Sequence, residues 1–478
     1  MKSAGGKLKF FLLCLVLLMA IGVRLYKINN SLTEWFSWRQ SDTAAVGRFL
    51  QQNNFNLLKP QYYDLSNIQS AVDNPGGWRM VEFPIYNAMF AGLNSTFPAI
   101  SLEMWARIVT IAFSLLIIVC LFFILESEFG LAEAFFGSLF FAVNPFIVFY
   151  SRTILPDMPA TAMAFLAIYF LYRYLKGDWF VLLLASLSMA TALLMKPTVI
   201  FFIVPALYLL WIKAHSSANK IITIVVFMLF SILPLVWWRH YIQQFPEGIP
   251  YSQWLLTSVN TSTGLQSIFF RPAFFRWIFF ERISQLIMGG YLVFFLLFGL
   301  FIETKKNLKL HFWLFLAALL YLFTFQGGNV QHEYYQILIM PALAMLVGVG
   351  VGNYFRQKKA GYLVLRVLIT LAIFTSATLF TFYQVRGKYD EQPNLMLIAD
   401  VLHSLTNKND LIVSDSQGDT TLLYLSDRRG YPAPYRELPI LKDQGADYFV
   451  TQNLDYKEKL AGQYSLVFEN DQVLIFKL

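Results

Sequence analysis

Residues 151–174 read SRTILPDMPATAMAFLAIYFLYRY, a sequence that indicates a membrane protein. A polar segment ending in Asp157 leads directly into an apolar run, from 158 to 175, that is long enough to cross a membrane as a helix. Arg173 and Lys176 close the run at its other end. A carboxylate at the rim of an apolar span is costly to bury, so it calls for a partner or a function. We therefore expect a membrane helix with a functional acid at one end.

The composition of the whole chain agrees with a membrane protein. Of 478 residues, 57% are apolar and only 14% are charged. The net charge is +8, but the lysines and arginines lie in small groups between apolar runs and form no continuous basic face, which argues against nucleic acid as a partner. Cys14 and Cys120 both lie in apolar segments, so neither a disulfide framework nor a CxxC metal motif is expected.

The apolar runs predict eleven membrane spans of about 17 to 25 residues each. They lie at 8–26, 103–124, 132–150, 158–175, 179–195, 197–213, 220–239, 284–302, 310–326, 333–354 and 361–383. The first run is interpreted as a retained anchor, because RLYKINN (24–30) after it offers no small-residue cleavage pattern, and Lys9 and Arg24 can snorkel at its ends. Only Met-Lys-Pro (195–197) separates the fifth run from the sixth, which indicates either a tight hairpin or one merged segment.

The orientation follows from the distribution of Lys and Arg in the short loops. With the N-terminus in the cytoplasm, the inner segments hold Lys2, Lys7, Lys9, Arg173, Lys176, Lys213, Lys220, Lys305, Lys306, Lys309, Arg356, Lys358 and Lys359. The short outer loops hold only Arg152 and Lys196. We therefore predict a multi-pass protein of the inner or plasma membrane, with its active site and its C-terminus outside the cytoplasm.

Three larger regions then face outward, at 27–102, 240–283 and 385–478. The first contains two segments, 41–52 and 83–93, that are expected to be helices lying in the membrane interface. The second combines aromatic residues with Arg271, Arg276 and Arg282 and suits the interfacial belt. In the third, 395–406 predicts a helix, 427–434 a turn-rich connector, and 410–415, 446–452, 464–470 and 472–478 short strands.

The predicted fold is thus an all-α polytopic membrane domain with about eleven transmembrane helices, residues 1–384, followed by a small extracytoplasmic α/β domain, residues 385–478. Ionisable residues gather at the outer level of this arrangement: Arg39, Asp42, Glu82, Arg107, Arg152, Asp157, Lys196, Arg239, His240, His332 and Glu333. The middles of the spans hold almost none, Arg366 being the nearest case. Transporters place charge near the midplane, so this pattern instead suits chemistry on a substrate with a lipid tail and a polar head.

At these residues the sequence resembles the membrane glycosyltransferases of the GT-C fold class. SDTAAVGRFL (41–50) is similar to the first-loop acidic motif, with Asp42 in the acidic position and Thr43 where the family often has Glu. EFPIYNAMFAGL (82–93) is similar to the interfacial-helix motif and contains Glu82 and Pro84, but Phe83 stands where Lys is common. The resemblance is to the branch of protein O-mannosyltransferases and lipid A aminoarabinose transferases, which is glycosyltransferase family 39-like.

Three further stretches carry the same resemblance in the same order, so that it spans roughly residues 8–355. Residues 151–174 resemble the second acidic motif, with Asp157, and LLMKPTVIFFIVPAL (193–207) resembles the lysine-containing segment, with Lys196. HEYYQILIMPALAMLVG (332–348) resembles a late span of the branch and contains His332 and Tyr335. Residues 385–478 match no family in this way.

The resemblance implies transfer of a sugar from a polyprenyl-phosphate-linked donor to an extracytoplasmic protein, lipid or glycan acceptor, with inversion. Membrane lipid is a further expected partner. Asp42 is then the candidate base, and Asp157 is a second carboxylate or a partner that orients a cation. The expected substrate- and phosphate-binding residues are Glu82, Arg107, Arg152, Lys196, His332 and Tyr335. No cofactor is required, and the two aspartates alone make no dedicated metal site, so a divalent cation is optional.

Each candidate also has a structural alternative: an N-cap for Asp42 and for Asp157, a helix cap for Glu82, a snorkelling side chain for Lys196, an ion pair with Glu103 for Arg107, and a structural hydrogen-bonding group for His332. A lipid-linked glycan ligase or polymerase is expected to carry a long outer loop late in the chain, whereas the longest one here comes first. A glycolipid transporter or flippase is disfavoured by the empty midplane and the absence of internal repeats. A non-catalytic assembly subunit is a third alternative.

Overall fold

The computed structural model describes residues 2–213, 217–250, 271–301, 308–356 and 362–478. Lys305, Lys306, Lys358 and Lys359, which the orientation argument places inside, lie outside these ranges, as do residues 251–270 of the predicted outer region 240–283. Helices dominate the described ranges. The α-helices are, in chain order, α1 Lys2–Arg24, α2 Ser37–Gln52, α3 Ile85–Thr96, α4 Leu102–Glu128, α5 Leu131–Val143, α6 Pro145–Tyr150, α7 Asp157–Tyr174, α8 Trp179–Met195, α9 Ile203–Lys213, α10 Ser217–Tyr241, α11 Pro272–Phe275, α12 Val293–Phe301, α13 Leu310–Thr324, α14 Gln326–Gln331, α15 Met340–Arg356, α16 Leu363–Val385, α17 Pro393–Leu405, α18 Thr421–Ser426, α19 Leu438–Asp443 and α20 Tyr456–Lys459.

Short segments of other types complete the secondary structure. The 3-10 helices lie at Pro197–Phe202, Ile242–Gln244, Pro246–Gly248, Glu333–Ile339 and Arg386–Tyr389, and a π-helix lies at Arg276–Ile287. The strands are β1 Leu411–Ser414, β2 Gly430–Tyr431, β3 Ala446–Thr451, β4 Ser465–Glu469 and β5 Leu474–Lys477. The helices predicted in the first outer region and at 395–406 are therefore present, as α2, α3 and α17. The predicted connector 427–434 contains β2, which pairs with β1 over only two residues and was too short to recognise by alternation.

Among the described residues, five helical stretches are long and apolar enough to cross a membrane: Gly6–Arg24, Leu102–Glu128, Asn219–Gln244, Glu333–Arg356 and Leu363–Leu405. Shorter apolar helices lie at Leu131–Val143, Trp179–Met195, Pro197–Lys213 and Leu310–Thr324. At 1.5 Å per residue, about 20 residues are needed to cross a hydrocarbon core of roughly 30 Å. The chain is a multi-pass membrane protein, while the count of eleven spans stays a prediction.

Two of the predicted runs are interrupted at polar residues. Within 132–150 the helix breaks at Asn144, whose side chain accepts a hydrogen bond from the Ile147 amide (3.3 Å) and so caps the next helix, α6. At Lys196 the backbone is extended, and Pro197 begins a 3-10 helix. Because proline disfavours a helical conformation in the residue before it, the chain leaves the helix at Lys196. The runs 179–195 and 197–213 are thus separate helices rather than one merged segment.

The continuous helix predicted over 284–302 is wrong. The π-helix ends at Ile287, and α12 begins only at Val293. Gly289 lies between them with φ of 55°, and a Cβ there would come 2.4 Å from the carbonyl oxygen of Ala377. Glycine is the residue that tolerates both this backbone conformation and this close approach.

By its contacts the chain forms two compact units. The first contains Met1–Ile28, Arg107–Trp238 and Trp254–Gly387, and the second contains Asn29–Ala106, Arg239–Gln253 and Lys388–Leu478. Most of the first outer region therefore clusters with the C-terminal segment.

In the first unit, close helix packing depends on small residues. A Cβ at Gly350 of α15 would lie 1.8 Å from the carbonyl oxygen of Phe295 in α12. Small residues allow helix backbones to approach in membrane proteins, where van der Waals packing contributes much of the attraction. Any side chain at position 350 would force these two helices apart.

Arg24 does not snorkel at the end of the first predicted span. Its side chain is fully buried and donates to the carbonyl oxygen of Ala142 (2.7 Å) and to the hydroxyl of Ser114 (3.0 Å). At the other end of α1, Lys9 pairs with Glu126 (2.6 Å). Carbonyl oxygens near the break at Asn144 are available to Arg24 because the helix stops there, which the sequence pattern did not indicate.

In the second unit, the C-terminal segment forms a five-stranded sheet in the order β2-β1-β3-β5-β4. Strand β1 is parallel to β2 and β3, whereas β5 is antiparallel to β3 and β4. The strands predicted at 410–415, 446–452, 464–470 and 472–478 are present as β1, β3, β4 and β5. Val413, Leu441, Phe449 and Phe476 belong to the buried core beside this sheet.

The first outer region extends this sheet at its β2 edge. The amide of Leu65 donates to the carbonyl of Gly430 (2.8 Å), and the amide of Gly430 donates to the carbonyl of Tyr63 (3.0 Å). The side chain of Leu65 also joins the core beside the sheet. Residues separated by more than 360 positions thus share one sheet and one core in the second unit.

Candidate active site

Asp42 lies on α2, a helix whose residues are mostly buried. The helix begins at Ser37, preceded by Phe36 in the left-handed conformation (φ 58°), so Asp42 lies more than one turn inside it. The N-cap alternative for Asp42 is therefore wrong. The side chain of Asp42 is fully buried. A buried carboxylate requires ion pairs or hydrogen bonds to offset the loss of solvation.

Two side chains of the second unit hold the Asp42 carboxylate. The hydroxyl of Thr420 donates to Oδ1 (2.7 Å), and Nη2 of Arg79 lies 3.1 Å from Oδ2. Thr420 comes from the turn before α18, and Arg79 comes from the polar segment between α2 and α3. Both side chains are buried. Arg79 is itself oriented by a hydrogen bond to Gln69 and by the ring of Tyr62, whose centroid lies 5.2 Å from the guanidinium carbon.

Further acids lie in electrostatic range of Asp42. Asp64 is fully buried, and its Oδ1 accepts the amide of Ser66 (2.7 Å). Burial raises the pKa of Asp64 to about 6, and the negative charge of Asp42 acts in the same direction. Burial, together with the charge of Asp42, also raises the pKa of Asp419. Arg79 is the cation paired with Asp42 in this cluster. When all the acids of the cluster are charged, their negative charge favours the binding of a second cation or of a proton.

Glu82 forms an ion pair with Arg39, which lies on α2 three residues before Asp42. The same part of the unit is fixed by Asn87 of α3, whose side chain donates to the carbonyl oxygen of Thr43 (2.7 Å). Glu82 precedes α3, and Pro84 occupies the N-cap position, so Glu82 does not cap that helix. Phe83 stands where the family resemblance leads one to expect lysine; in this unit Arg39 and Arg79 are the cations paired with Glu82 and Asp42.

In the first unit, Asp157 and Lys196 form a buried ion pair. Nζ of Lys196 lies 2.9 Å from Oδ1 of Asp157, and both side chains are buried. Asp157 is the first residue of α7, after Pro156 at the N-cap. Its negative charge therefore also interacts favourably with the positive end of the helix dipole. Lys196 is held by the break between α8 and the 3-10 helix at Pro197. The snorkelling alternative for Lys196 is therefore wrong.

Aromatic side chains surround this ion pair. Nζ of Lys196 lies 4.7 Å from the ring centroid of Tyr335 and 5.6 Å from that of Tyr334. The ring of His332 lies against both tyrosines, at centroid distances of 5.4 Å from Tyr334 and 5.6 Å from Tyr335. The structure thus brings four predicted residues, Asp157, Lys196, His332 and Tyr335, into one group in the first unit.

The neighbouring Glu333 belongs to a second buried group, which the sequence did not predict. It accepts hydrogen bonds from the hydroxyl of Tyr150 and from Arg282. The sequence places Arg282 in an interfacial belt, but in the structure Arg282 pairs with Glu333, whose side chain is 5% exposed. Glu333 and Tyr334 are therefore buried in the protein, whereas His332 and Tyr335 are half-buried.

Arg107 and Arg152 are both fully buried. Arg107 donates to the carbonyl oxygen of Ile28. The guanidinium carbon of Arg152 lies 5.5 Å from the ring of Phe149. Glu103, the alternative partner of Arg107, accepts from Arg48 (3.2 Å) and from the hydroxyl of Tyr424. Phosphate binding by Arg107 and Arg152 remains a prediction.

Among the residues that the structure describes, no group of three or more His, Cys, Asp or Glu side chains is arranged to hold a metal ion. Asp42 and Asp157 each have a basic partner in their own unit.

Three comparisons with known proteins bear on this arrangement. Residues 88–238 match the family model described as dolichyl-phosphate-mannose-protein mannosyltransferase. No curated protein sequence matches the chain. The crystal structure of ArnT from Cupriavidus metallidurans bound to undecaprenyl phosphate is similar over 97% of this chain and 97% of that one, with a TM-score of 0.64 and 14% identity.

The apo structure of the same ArnT gives a TM-score of 0.64 at 13% identity, over 99% of this chain and 98% of that one. The Archaeoglobus fulgidus oligosaccharyltransferase in complex with Zn and sulfate gives 0.60 at 12% identity, over 92% of this chain and 68% of that one. The chain has the GT-C fold. The resemblance inferred from the sequence is thereby confirmed.

Within the GT-C fold, the sequence motifs identified Asp42, Glu82, Asp157 and Lys196 but missed Arg79 and Thr420. Arg79 stands three residues before Glu82, in a segment without helical or strand periodicity. Thr420 lies in the C-terminal segment, for which the sequence suggested no family. The position of Arg79 close to the acidic motif that contains Glu82 was a sequence signal that could have identified it. No such signal points to Thr420.

Proposed function

We propose that this protein transfers a sugar from a polyprenyl-phosphate-linked donor to an extracytoplasmic acceptor, with inversion at the anomeric carbon. The observation that carries the proposal is the buried Asp42 carboxylate, held by Thr420 and Arg79 on a GT-C fold. A buried aspartate held at both oxygens is an oriented acceptor for a proton. The similarity to ArnT, whose structure contains undecaprenyl phosphate, supports a polyprenyl-phosphate donor.

The reaction is a single displacement at the anomeric carbon. Asp42 removes the proton of the acceptor hydroxyl while the hydroxyl oxygen forms a bond to the anomeric carbon. The bond from the carbon to the phosphate oxygen breaks, and polyprenyl phosphate leaves with the electron pair. Attack from the face opposite the leaving group inverts the configuration. Positioned general bases of this kind contribute about 10²- to 10⁴-fold to rate.

Lys196 is the proposed contact for the donor phosphate. Its ammonium group lies 2.9 Å from Asp157, and an ammonium group binds phosphate oxygens through charge-assisted hydrogen bonds. Asp157 is then the residue that fixes the cation rather than a second base. Arg107 and Arg152 are further proposed phosphate contacts, and His332 and Tyr335 are proposed to border the same group. Glu82, paired with Arg39, is proposed to orient the acceptor.

A consumption assay tests the proposal. Proteoliposomes that contain the purified protein receive a panel of radiolabelled undecaprenyl-phosphate-linked sugars, together with envelope material from the native host as the acceptor source. We expect wild-type protein to release undecaprenyl phosphate from at least one donor and to transfer the label. Asp42→Asn should lower transfer at least 100-fold while it retains the elution profile and thermal stability of a folded protein.

Asp400→Asn is the matched control, because it removes one charge from an exposed aspartate on α17 of the same unit. This control should transfer at the wild-type rate. Activity of Asp42→Asn close to the wild-type rate would remove Asp42 as the base. Movement of the intact lipid-linked sugar across the bilayer without release of undecaprenyl phosphate would replace the transferase by a flippase.

A further inference from the structure

The loop between β1 and α18 in the C-terminal segment meets the candidate base in the second unit. Residues 415–420 follow the carboxyl end of β1, the central strand of the parallel part of the sheet. In open α/β sheets, ligands and functional groups collect at the carboxyl ends of strands where the connections diverge to either side. Here that loop places the Thr420 hydroxyl 2.7 Å from Oδ1 of Asp42.

Thr420 occupies the N-cap position of α18 but does not cap that helix. A threonine at this position usually accepts a hydrogen bond from an amide in the first helical turn. No such side-chain bond is present at Thr420, and Asp419 accepts the amide of Thr421 instead (2.8 Å). The Thr420 hydroxyl is directed to Asp42, so its contact with the base is separate from any role in starting the helix.

The loop is shaped to hold Thr420 in this place. Gln417 and Gly418 both have positive φ, 51° and 93°. The amides of Ser416 and Gly418 converge on the carbonyl oxygen of Pro432 (3.2 Å and 3.0 Å). Thr420 is 2% exposed. A loop fixed by its own backbone bonds presents this hydroxyl with little freedom of movement.

We propose that Thr420 is a positioning residue for Asp42, through which the C-terminal α/β segment sets the orientation and the basicity of the catalytic carboxylate. The inference rests on the proposed function, because it requires Asp42 to act as the base. A hydroxyl that donates to a carboxylate stabilises its charged form and restricts its rotation. The second effect holds the carboxylate in one orientation, with Oδ1 against Thr420 and Oδ2 against Arg79.

The charged and titratable groups that face Asp42 come from two parts of the second unit: Arg79, Tyr62 and Asp64 from the first outer region, and Asp419 from the C-terminal loop. Of these, Asp64, whose pKa burial raises to about 6, can itself contribute to the acidic limb of a pH–rate profile. The pH experiment is therefore also carried out in an Asp64→Asn background, in which only Asp42 and Asp419 remain as acids of this group.

The test compares three variants in the same proteoliposome assay with undecaprenyl-phosphate-linked sugars. Thr420→Val keeps the shape of the side chain and removes the donor, whereas Thr420→Ser keeps the donor. Thr421→Val is the matched control, because the neighbouring Thr421 is also buried and its hydroxyl makes no hydrogen bond to Asp42. All four proteins are first compared for thermal unfolding, so that rate is measured only on folded protein.

We expect Thr420→Val to lower kcat about tenfold at neutral pH, with little change in KM for the lipid-linked donor. The acidic limb of its pH–rate profile should move up by about one pH unit, because loss of a hydrogen bond to a charged group is worth roughly that much. Thr420→Ser and Thr421→Val should retain the wild-type profile. A purely structural role for Thr420 would lower the amount of folded protein without moving this limb.

The failure of each idea gives a distinct result. If wild-type protein transfers sugar and Thr420→Val shows the wild-type rate and pH profile, the positioning role is overturned and the transferase stands. If wild-type protein releases undecaprenyl phosphate from no donor in the panel, the transferase and the positioning role are overturned together. If Thr421→Val lowers the rate of transfer as much as Thr420→Val does, the positioning role is also overturned.

Discussion

Asp64 offers a prediction whose size can be worked from the structure. Its carboxyl group is fully buried, and burial raises its pKa from 3.8 to about 6. A carboxyl group with a higher pKa in the folded chain than in the unfolded chain binds its proton more tightly when folded. Ionised Asp64 therefore lowers the free energy of unfolding. A difference of roughly two pH units corresponds to about 3 kcal/mol.

The pH window follows from the two pKa values. Below about pH 4 the group is protonated in both states, and it imposes no penalty. Between about pH 4 and pH 6 the unfolded chain loses its proton first, so stability falls as pH rises. Above about pH 6 the full penalty is present. Asp64→Asn does not titrate, and its amide oxygen can still accept the Ser66 amide.

The variant should therefore gain stability relative to wild type between pH 4 and pH 8, by about 3 kcal/mol. For a unit of 150 to 250 residues, each 1 kcal/mol corresponds to about 2 to 4 °C, so the difference in Tm between variant and wild type should change by about 6 to 12 °C. The assay is thermal unfolding of the full chain in detergent micelles, followed by tryptophan fluorescence. Asp400→Asn, at an exposed position, is the control and should show no such trend. A difference in Tm between Asp64→Asn and wild type that stays constant from pH 4 to pH 8 would show that ionisation of Asp64 does not destabilise the fold.

The remaining predictions concern the buried ion pair and the orientation of the chain. Asp157→Asn should destabilise the folded protein by about 3 to 5 kcal/mol, because it leaves the buried ammonium of Lys196 without its carboxylate. The further change Lys196→Met should recover most of that loss, and thermal unfolding of the single and double variants measures both effects; equal Tm values for Asp157→Asn and wild type would contradict the pairing. For orientation, Asp415→Cys in a chain with Cys14→Ser and Cys120→Ala should react with a membrane-impermeant thiol reagent in intact cells. Labelling that requires cell lysis would place the C-terminal segment in the cytoplasm instead.

The helical membrane fold could be predicted because its signals are local. An apolar run of sufficient length, closed by Lys or Arg, indicates a helix regardless of its neighbours. The breaks were harder, since they depend on one residue and its contacts. Lys196 before a proline was a recognisable break, whereas Gly289 is explained only by the backbone of Ala377 against it.

The candidate site divides in the same way. Asp42 and Asp157 could be identified because each stands in a contiguous motif. Arg79 and Thr420 could not, because their relation to Asp42 is created by folding of the second unit. The N-cap alternative for Asp42 failed because α2 starts at Ser37, before the polar residues that suggested a helix start. Burial then decides the question, since a capping aspartate is usually solvated and Asp42 is not.

The bond between Asp42 and Thr420 joins residues 378 positions apart, and this separation has a consequence for synthesis. A ribosome adds about 5 to 20 residues per second, so Thr420 is made about 20 to 75 seconds after Asp42. During that interval the nascent chain already carries its candidate base but lacks the donor that orients it. A prematurely terminated chain stays in that condition permanently. Full transfer activity should therefore arise only in chains whose translation has been completed.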